Sequence, residues 1–214
     1  MTSKLARAWQ TQWSIRNFKF EVFATVVLLI LVLVSLTSFL GHIEKRPGVV
    51  LPDPILALVQ PRDLTWITFG FIYLGLLAGI AVLARHPRLL MLAIQSYIVM
   101  VLVRIAAMYV VPLDPPPGMI PLKDPFVEYF GTGKLLTKDL FFSGHTSTLL
   151  LFFLIVPERG ARLLFLLCTV GVAICVLLQH VHYSADVLAA LFFGYGAYRI
   201  ALRFHRSTER PIHN

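Results

Sequence analysis

Six apolar runs divide the chain, and proline, glycine or charged residues separate each from the next. They cover residues 22–40, 64–84, 89–111, 140–156, 161–178 and 183–204. Runs of this size approach the roughly 20 residues that a helix needs to cross the hydrocarbon core. The first is longer than a signal-peptide core and lacks a small-x-small cleavage pattern, so it reads as an uncleaved span. Gly75 and Gly79 give the second run a small-x-x-x-small spacing, which lets helices approach closely. The pattern predicts an all-α integral membrane protein with six transmembrane helices. Residues 1–20 are polar and basic, with Trp9 and Trp13 at amphipathic spacing, and read as an interfacial segment. The membrane domain is expected over residues 21–204, with a basic tail over 205–214.

The segments between the runs differ in character. Residues 41–63 hold Pro47, Pro52, Pro54 and Pro61, which break helices, and Arg85-His86-Pro87-Arg88 makes a tight basic turn. The longest loop, 112–138, carries Pro112, Pro115-Pro116-Pro117-Gly118, Gly131 and Gly133. Structureless loops of that length in a compact protein are commonly functional, so this one is expected to border a site.

Composition narrows the class. With 57% hydrophobic and 14% charged residues among 214, an ordinary soluble domain is excluded. A formal charge of +8 could serve nucleic acid, but the basic residues sit in short clusters beside apolar runs. They read as topology signals. Six spans place both termini on one side, together with Arg85, Arg88, Arg159 and Arg162, and the positive-inside rule makes that side cytoplasmic. The opposite face carries Lys45, Arg46, Arg62, Lys123, Lys134 and Lys138, diluted by acidic residues. A compact chain of this kind is expected in a bacterial inner membrane, with its site facing the periplasm. Cys168 and Cys175, seven apart on one run, share a helix face and read as reduced packing residues.

Chemistry enters at the ends of the last three runs. Ser143-Gly144-His145-Thr146 opens the fourth, and His180-Val181-His182-Tyr183-Ser184-Ala185-Asp186 opens the sixth. Ionisable groups near apolar spans are costly unless they have a partner or a task. If a helix begins near His182, Asp186 lies one turn on and its carboxylate can reach an imidazole nitrogen. Such a contact fixes the tautomer and leaves the other nitrogen free to attack. Gly144 would let the backbone approach a ligand, Ser143 and Thr146 would cap the helix start, and its free amides would favour an anion. Arg104, inside the third run, either snorkels to the interface or holds a lipid phosphate. On the six-span topology His145, His182 and Asp186 all meet at the non-cytoplasmic face. A metal held by His180 and His182 is the weaker reading, since the pair lacks the usual helical spacing; neither a metal nor a cofactor is expected.

These residues resemble a known family. Ser143-Gly144-His145 and His182-x-x-x-Asp186-Val187 are similar to the second and third motifs of the type 2 phosphatidic acid phosphatase superfamily. Four blocks resemble its sphingomyelin synthase branch: Leu51-Pro52-Asp53, the stretch from Arg104 through Tyr109 to Val110 with Pro117-Gly118-Met119, residues 139–146, and residues 180–187. The resemblance implies a six-span bundle of that superfamily and a phosphohistidine mechanism. His182 would attack phosphorus, Asp186 would orient it, and His145 would protonate the leaving diacylglycerol oxygen and then act as base. Arg104, Tyr109, Asp139, Ser143, Gly144, Thr146 and His180 would hold the substrate. The implied partners are a phospholipid, the bilayer, and ceramide or diacylglycerol as acceptor, with no nucleic acid.

Two positions depart from the pattern. Val181 stands where the synthase branch has an acidic residue, and Val176 where the phosphatases have an arginine. A phosphate monoester bears about −1.5 to −2 charge, so fewer cations favour a singly charged diester. Transfer to a lipid hydroxyl and hydrolysis by water both stay open, as does the oligomeric state. A lipid phosphate or polyprenyl diphosphate phosphatase is the enzymatic alternative. A transporter or scaffold with this fold would not need His145, His182 and Asp186 together.

Overall fold

The computed structural model describes residues 2–123 and 136–209. Among these, seven α-helices follow in order: α1 Thr2–Trp13, α2 Arg16–Ile43, α3 Thr65–Leu83, α4 Pro87–Val110, α5 Gly144–Ile155, α6 Arg159–Leu178 and α7 Ser184–Glu209. A 3-10 turn, Leu56–Leu58, lies between α2 and α3, and Val49 and Leu113 form an isolated bridge. The all-α membrane architecture therefore stands. Loop residues Gly131, Gly133 and Lys134, and Arg210 of the tail, fall outside the described residues.

Five helices, α2, α3, α4, α6 and α7, are long and apolar enough to cross a membrane. The fourth expected span is different. Its helix, α5, has 12 residues, a rise of about 18 Å against a hydrocarbon core of about 30 Å. The sequence placed this run at 140–156, but residues 140–143 are not helical. Their backbone is engaged elsewhere: the Phe142 carbonyl accepts from Arg104, and the Ser143 amide donates to the Asp186 carbonyl. The helix that contains the first apolar run begins before it, at Arg16.

The short helix sits at the centre, packed on α3, α4, α6 and α7. Close approach to α3 depends on Gly75 and Gly79, whose hydrogen-only faces meet Leu149 and Phe152 of α5. A methyl at Gly75 would stand 2.3 Å from Leu149 Cδ2, so the small-residue spacing is a packing device. Buried Ala190, Ala197 and Ala201 line α7 in the cluster that contains Ile98, Met100 and Val101 of α4. Cys168 and Cys175 are buried and free on α6. By contrast α2 packs chiefly on α4, and Phe20, Phe23, Leu31 and Val34 face outward. Outward apolar side chains suit a lipid solvent, so this is a multi-pass membrane protein.

One end of the bundle is closed by α1. Trp9 Nε1 donates to the Ala84 carbonyl at 2.8 Å, Trp9 and Trp13 meet Phe18 edge-on, and the Arg88 guanidinium lies 4.9 Å from the Phe18 ring centre. At the opposite end the α2–α3 and α4–α5 loops, the start of α5 and the α6–α7 turn converge.

Candidate active site

The α6–α7 turn is a tight reversal. The Val181 amide donates to the Val176 carbonyl and the His180 amide to Leu177, a Schellman arrangement that closes α6. Its left-handed residue is His180, at φ 55°. Glycine is the usual occupant; here the ring is tethered instead, Nδ1 lying 3.0 Å from the Pro117 carbonyl. Since a carbonyl only accepts, Nδ1 carries the proton. The buried Nε2 has no hydrogen-bond partner among the described residues.

Two residues on, His182 meets Asp186. Nδ1 and the carboxylate Oδ2 are 3.2 Å apart, and the Tyr183 amide donates to the same oxygen at 3.1 Å. The helix starts at Ser184 rather than His182, yet Asp186 in its first turn reaches back to both groups. The carboxylate requires Nδ1–H, which leaves the Nε2 lone pair available. Both side chains are buried.

Ser143 occupies the N-cap position of α5, but its side chain makes no capping bond. The cap expected from the sequence is corrected: Ser143 Oγ and Thr146 Oγ1 pair with each other at 3.0 Å, both buried. Gly144 also serves a different neighbour from the one expected. A Cβ there would lie 3.2 Å from Arg104 Cζ and 3.3 Å from Nε, so the guanidinium lies close against the bare backbone.

Arg104 does not snorkel; it is held by partners within the protein. It is 5% exposed, its Nε donates to the Phe142 carbonyl at 2.7 Å, and Nη2 lies 2.5 Å from Asp139 Oδ1. The intramolecular partner was absent from the sequence reading of Arg104, because the two residues come from different elements.

A cavity of about 240 Å³ gathers these groups. Arg104, Asp139, Gly144, His145, Thr148 and His182 form its polar side, and Val181 also lines it. Leu36 and Leu40 of α2 with Met100 and Val101 of α4 supply apolar wall, and Tyr97 stands among them. The described flanks of the long loop, Met119, Leu122, Leu136 and Thr137, complete it. The two imidazoles thus share one cavity at one end of the bundle. Asp186 stands behind His182 and does not line it, nor do Ser143, Thr146 or His180. Tyr109 lies away from it altogether, 64% exposed with its ring under Arg46. Among the described residues, no three His, Cys, Asp or Glu converge as a metal ligand set.

Several supporting residues escaped the sequence reading. Gln179, fully buried, accepts from the Leu64 amide through Oε1 and donates to Thr65 Oγ1 and the Ile120 carbonyl through Nε2. Its signal was an amide at the apolar end of α6, directly before His180. Glu44 accepts from the Thr137 amide and hydroxyl and from the Lys138 amide, anchoring loop residues beside the cavity. Tyr97 and Thr148 gave no signal, being ordinary span residues until α4 and α5 face each other.

Comparison with curated proteins gives no match. Residues 138–202, the stretch that supplies Asp139, Gly144, His145, His182 and Asp186, match the family described as PAP2 superfamily C-terminal.

Proposed function

We propose that the chain is a lipid phosphotransferase or phospholipase C-like enzyme that works through a phosphohistidine on His182. The observation that carries the reading is the shared cavity, lined by two imidazoles and Arg104 together with apolar side chains of α2 and α4. A phosphoryl group at the polar side would leave its acyl chains against the apolar walls. His182 Nε2 forms a bond to phosphorus as the bond from phosphorus to the diacylglycerol oxygen breaks. His145 gives that oxygen its proton. In the second half His145 takes a proton from an incoming hydroxyl, whose oxygen displaces Nε2. Splitting the displacement lowers each barrier, and an imidazole, which can both give and take a proton, suits both proton steps.

Charge bears on the substrate. Arg104 is already neutralised by Asp139, and Val181 adds no carboxylate to the wall. A singly charged phosphodiester fits such a site better than a dianionic monoester, which would need more cations. The acceptor is a lipid hydroxyl, as in sphingomyelin or ceramide phosphoethanolamine synthesis, or water. The test is purified protein with labelled phosphatidylcholine or phosphatidylethanolamine, with and without ceramide. We expect head-group release or transfer, with His145→Ala slower by about 10²–10⁴-fold and His182→Ala inactive. Full turnover in either variant, or phosphate release from phosphatidic acid alone, overturns the proposal.

A further inference from the structure

The turn that carries His182 is held from outside its own helix pair. Asp53, in the α2–α3 loop, divides its carboxylate between two tasks. Oδ1 accepts from the Ile55 amide at 2.9 Å and the Leu56 amide at 3.2 Å, closing its own 3-10 turn. Oδ2 accepts from the Ser184 amide at 2.6 Å. Ser184 is the first residue of α7, whose early amides have no intrahelical acceptor. The adjoining Tyr183 hydroxyl receives the Leu51 amide at 3.2 Å and donates to the Asp114 carbonyl at 2.8 Å. Asp186 caps the same helix from within, through the Tyr183 amide, while it holds His182. The helix start therefore has two carboxylate caps, one local and one supplied by a loop far away in sequence.

We infer that Asp53 is a positioning residue: by capping α7 across the fold it fixes the turn on which His182 and Asp186 face each other. Asp186 cannot set the position of His182 more sharply than the first turn of α7 is itself set, and a Ser184 amide without an acceptor loosens that turn. Asp53 does not line the cavity, so its removal acts on turnover and leaves substrate affinity alone. A negative charge beside a helix N-terminus adds to the effect. In its role for catalysis the inference rests on the function proposed above.

Two variants remove the same bond from opposite sides. Asp53→Ala deletes the acceptor. Ser184→Pro deletes the donor at a first helical position, where proline is well tolerated, so it guards against failure of the loop variant to fold. We expect amide hydrogen exchange at Ser184, Asp186 and Val187 to quicken about ten-fold or more in Asp53→Ala. Turnover should fall about ten-fold in each variant, with KM within two-fold. The double variant should match the worse single one, since coupled residues are not additive. Unchanged exchange in Asp53→Ala overturns the inference. So does quickened exchange with unchanged kcat, or fully additive losses. If the native protein neither releases nor transfers a head group, the proposed function falls, while the exchange measurement still decides the cap.

Discussion

The missing side chain of Gly144 makes room for the Arg104 guanidinium. Gly144→Ala should push that group by a few tenths of an ångström, because the nearest atoms lie at 3.2 to 3.5 Å. Misplacement of about 1 Å near a reacting centre can cost about 10²-fold, so we expect a drop of roughly ten-fold in kcat/KM with the fold intact, read by lipid turnover beside a thermal melt. His180 offers a contrast. Its left-handed backbone suits glycine better than any branched residue. His180→Gly should keep the melting temperature near that of the native protein, whereas His180→Val should lose about 1–2 kcal/mol, measurable by thermal or denaturant unfolding.

Elements are held together at the cavity end mainly by loop carboxylates and by one amide. Gln179 joins the end of α6 to the start of α3 and to the loop at Ile120. Replacing it with leucine leaves the Leu64 amide and the Ile120 carbonyl without their partners, at about 1–3 kcal/mol for each such group. Gln179→Leu should therefore lower stability by about 2–6 kcal/mol, more than a cavity-neutral change on the outer face of α2.

The carboxylates add a pH dependence. Burial raises the pKa of Asp53, but the Ser184, Leu56 and Ile55 amides outweigh it and hold the group below the usual carboxylate range. Asp114 is held low chiefly by Lys138, whose Nζ lies 2.6 Å away. Because the folded values are depressed, the stability these groups supply is complete above the ordinary carboxylate pKa of about 4. It is lost as pH falls through their lowered values. The melting temperature of the native protein should drop below about pH 4, and the drop should be shallower in Asp53→Asn and Asp114→Asn.

At the scale of the whole molecule, the short α5 sets the depth of the site. Arg104 lies within α4, and its bond to the Phe142 carbonyl fixes the start of α5 well below the end of α4. The resulting cavity is walled by Leu36 and Leu40 of α2, which packs mainly on α4. Leu36→Trp and Leu40→Trp should fill the apolar wall and raise KM for long-chain lipids several-fold. Turnover of a short-chain analogue should be affected less, and equal loss on both would show that acyl chains do not use this wall.

The alternation of apolar and broken segments was enough to name the class and to place the ends of five membrane helices within six residues, and the motifs at the span ends pointed to His145, His182 and Asp186 as candidates. Burial in lipid demands long apolar helices, and that demand is written locally. The carboxylate one turn into α7 was legible for the same reason, since a helix fixes its own neighbours. Other features were settled only when distant segments met. The start of α5 is fixed by Arg104 and Asp186, the charge of Arg104 is answered by Asp139, and the amide of Ser184 is answered by Asp53. Hydrogen bonds between far-separated residues leave no period in a sequence, because only the packing of α4, α5 and α7 decides which polar groups share a space.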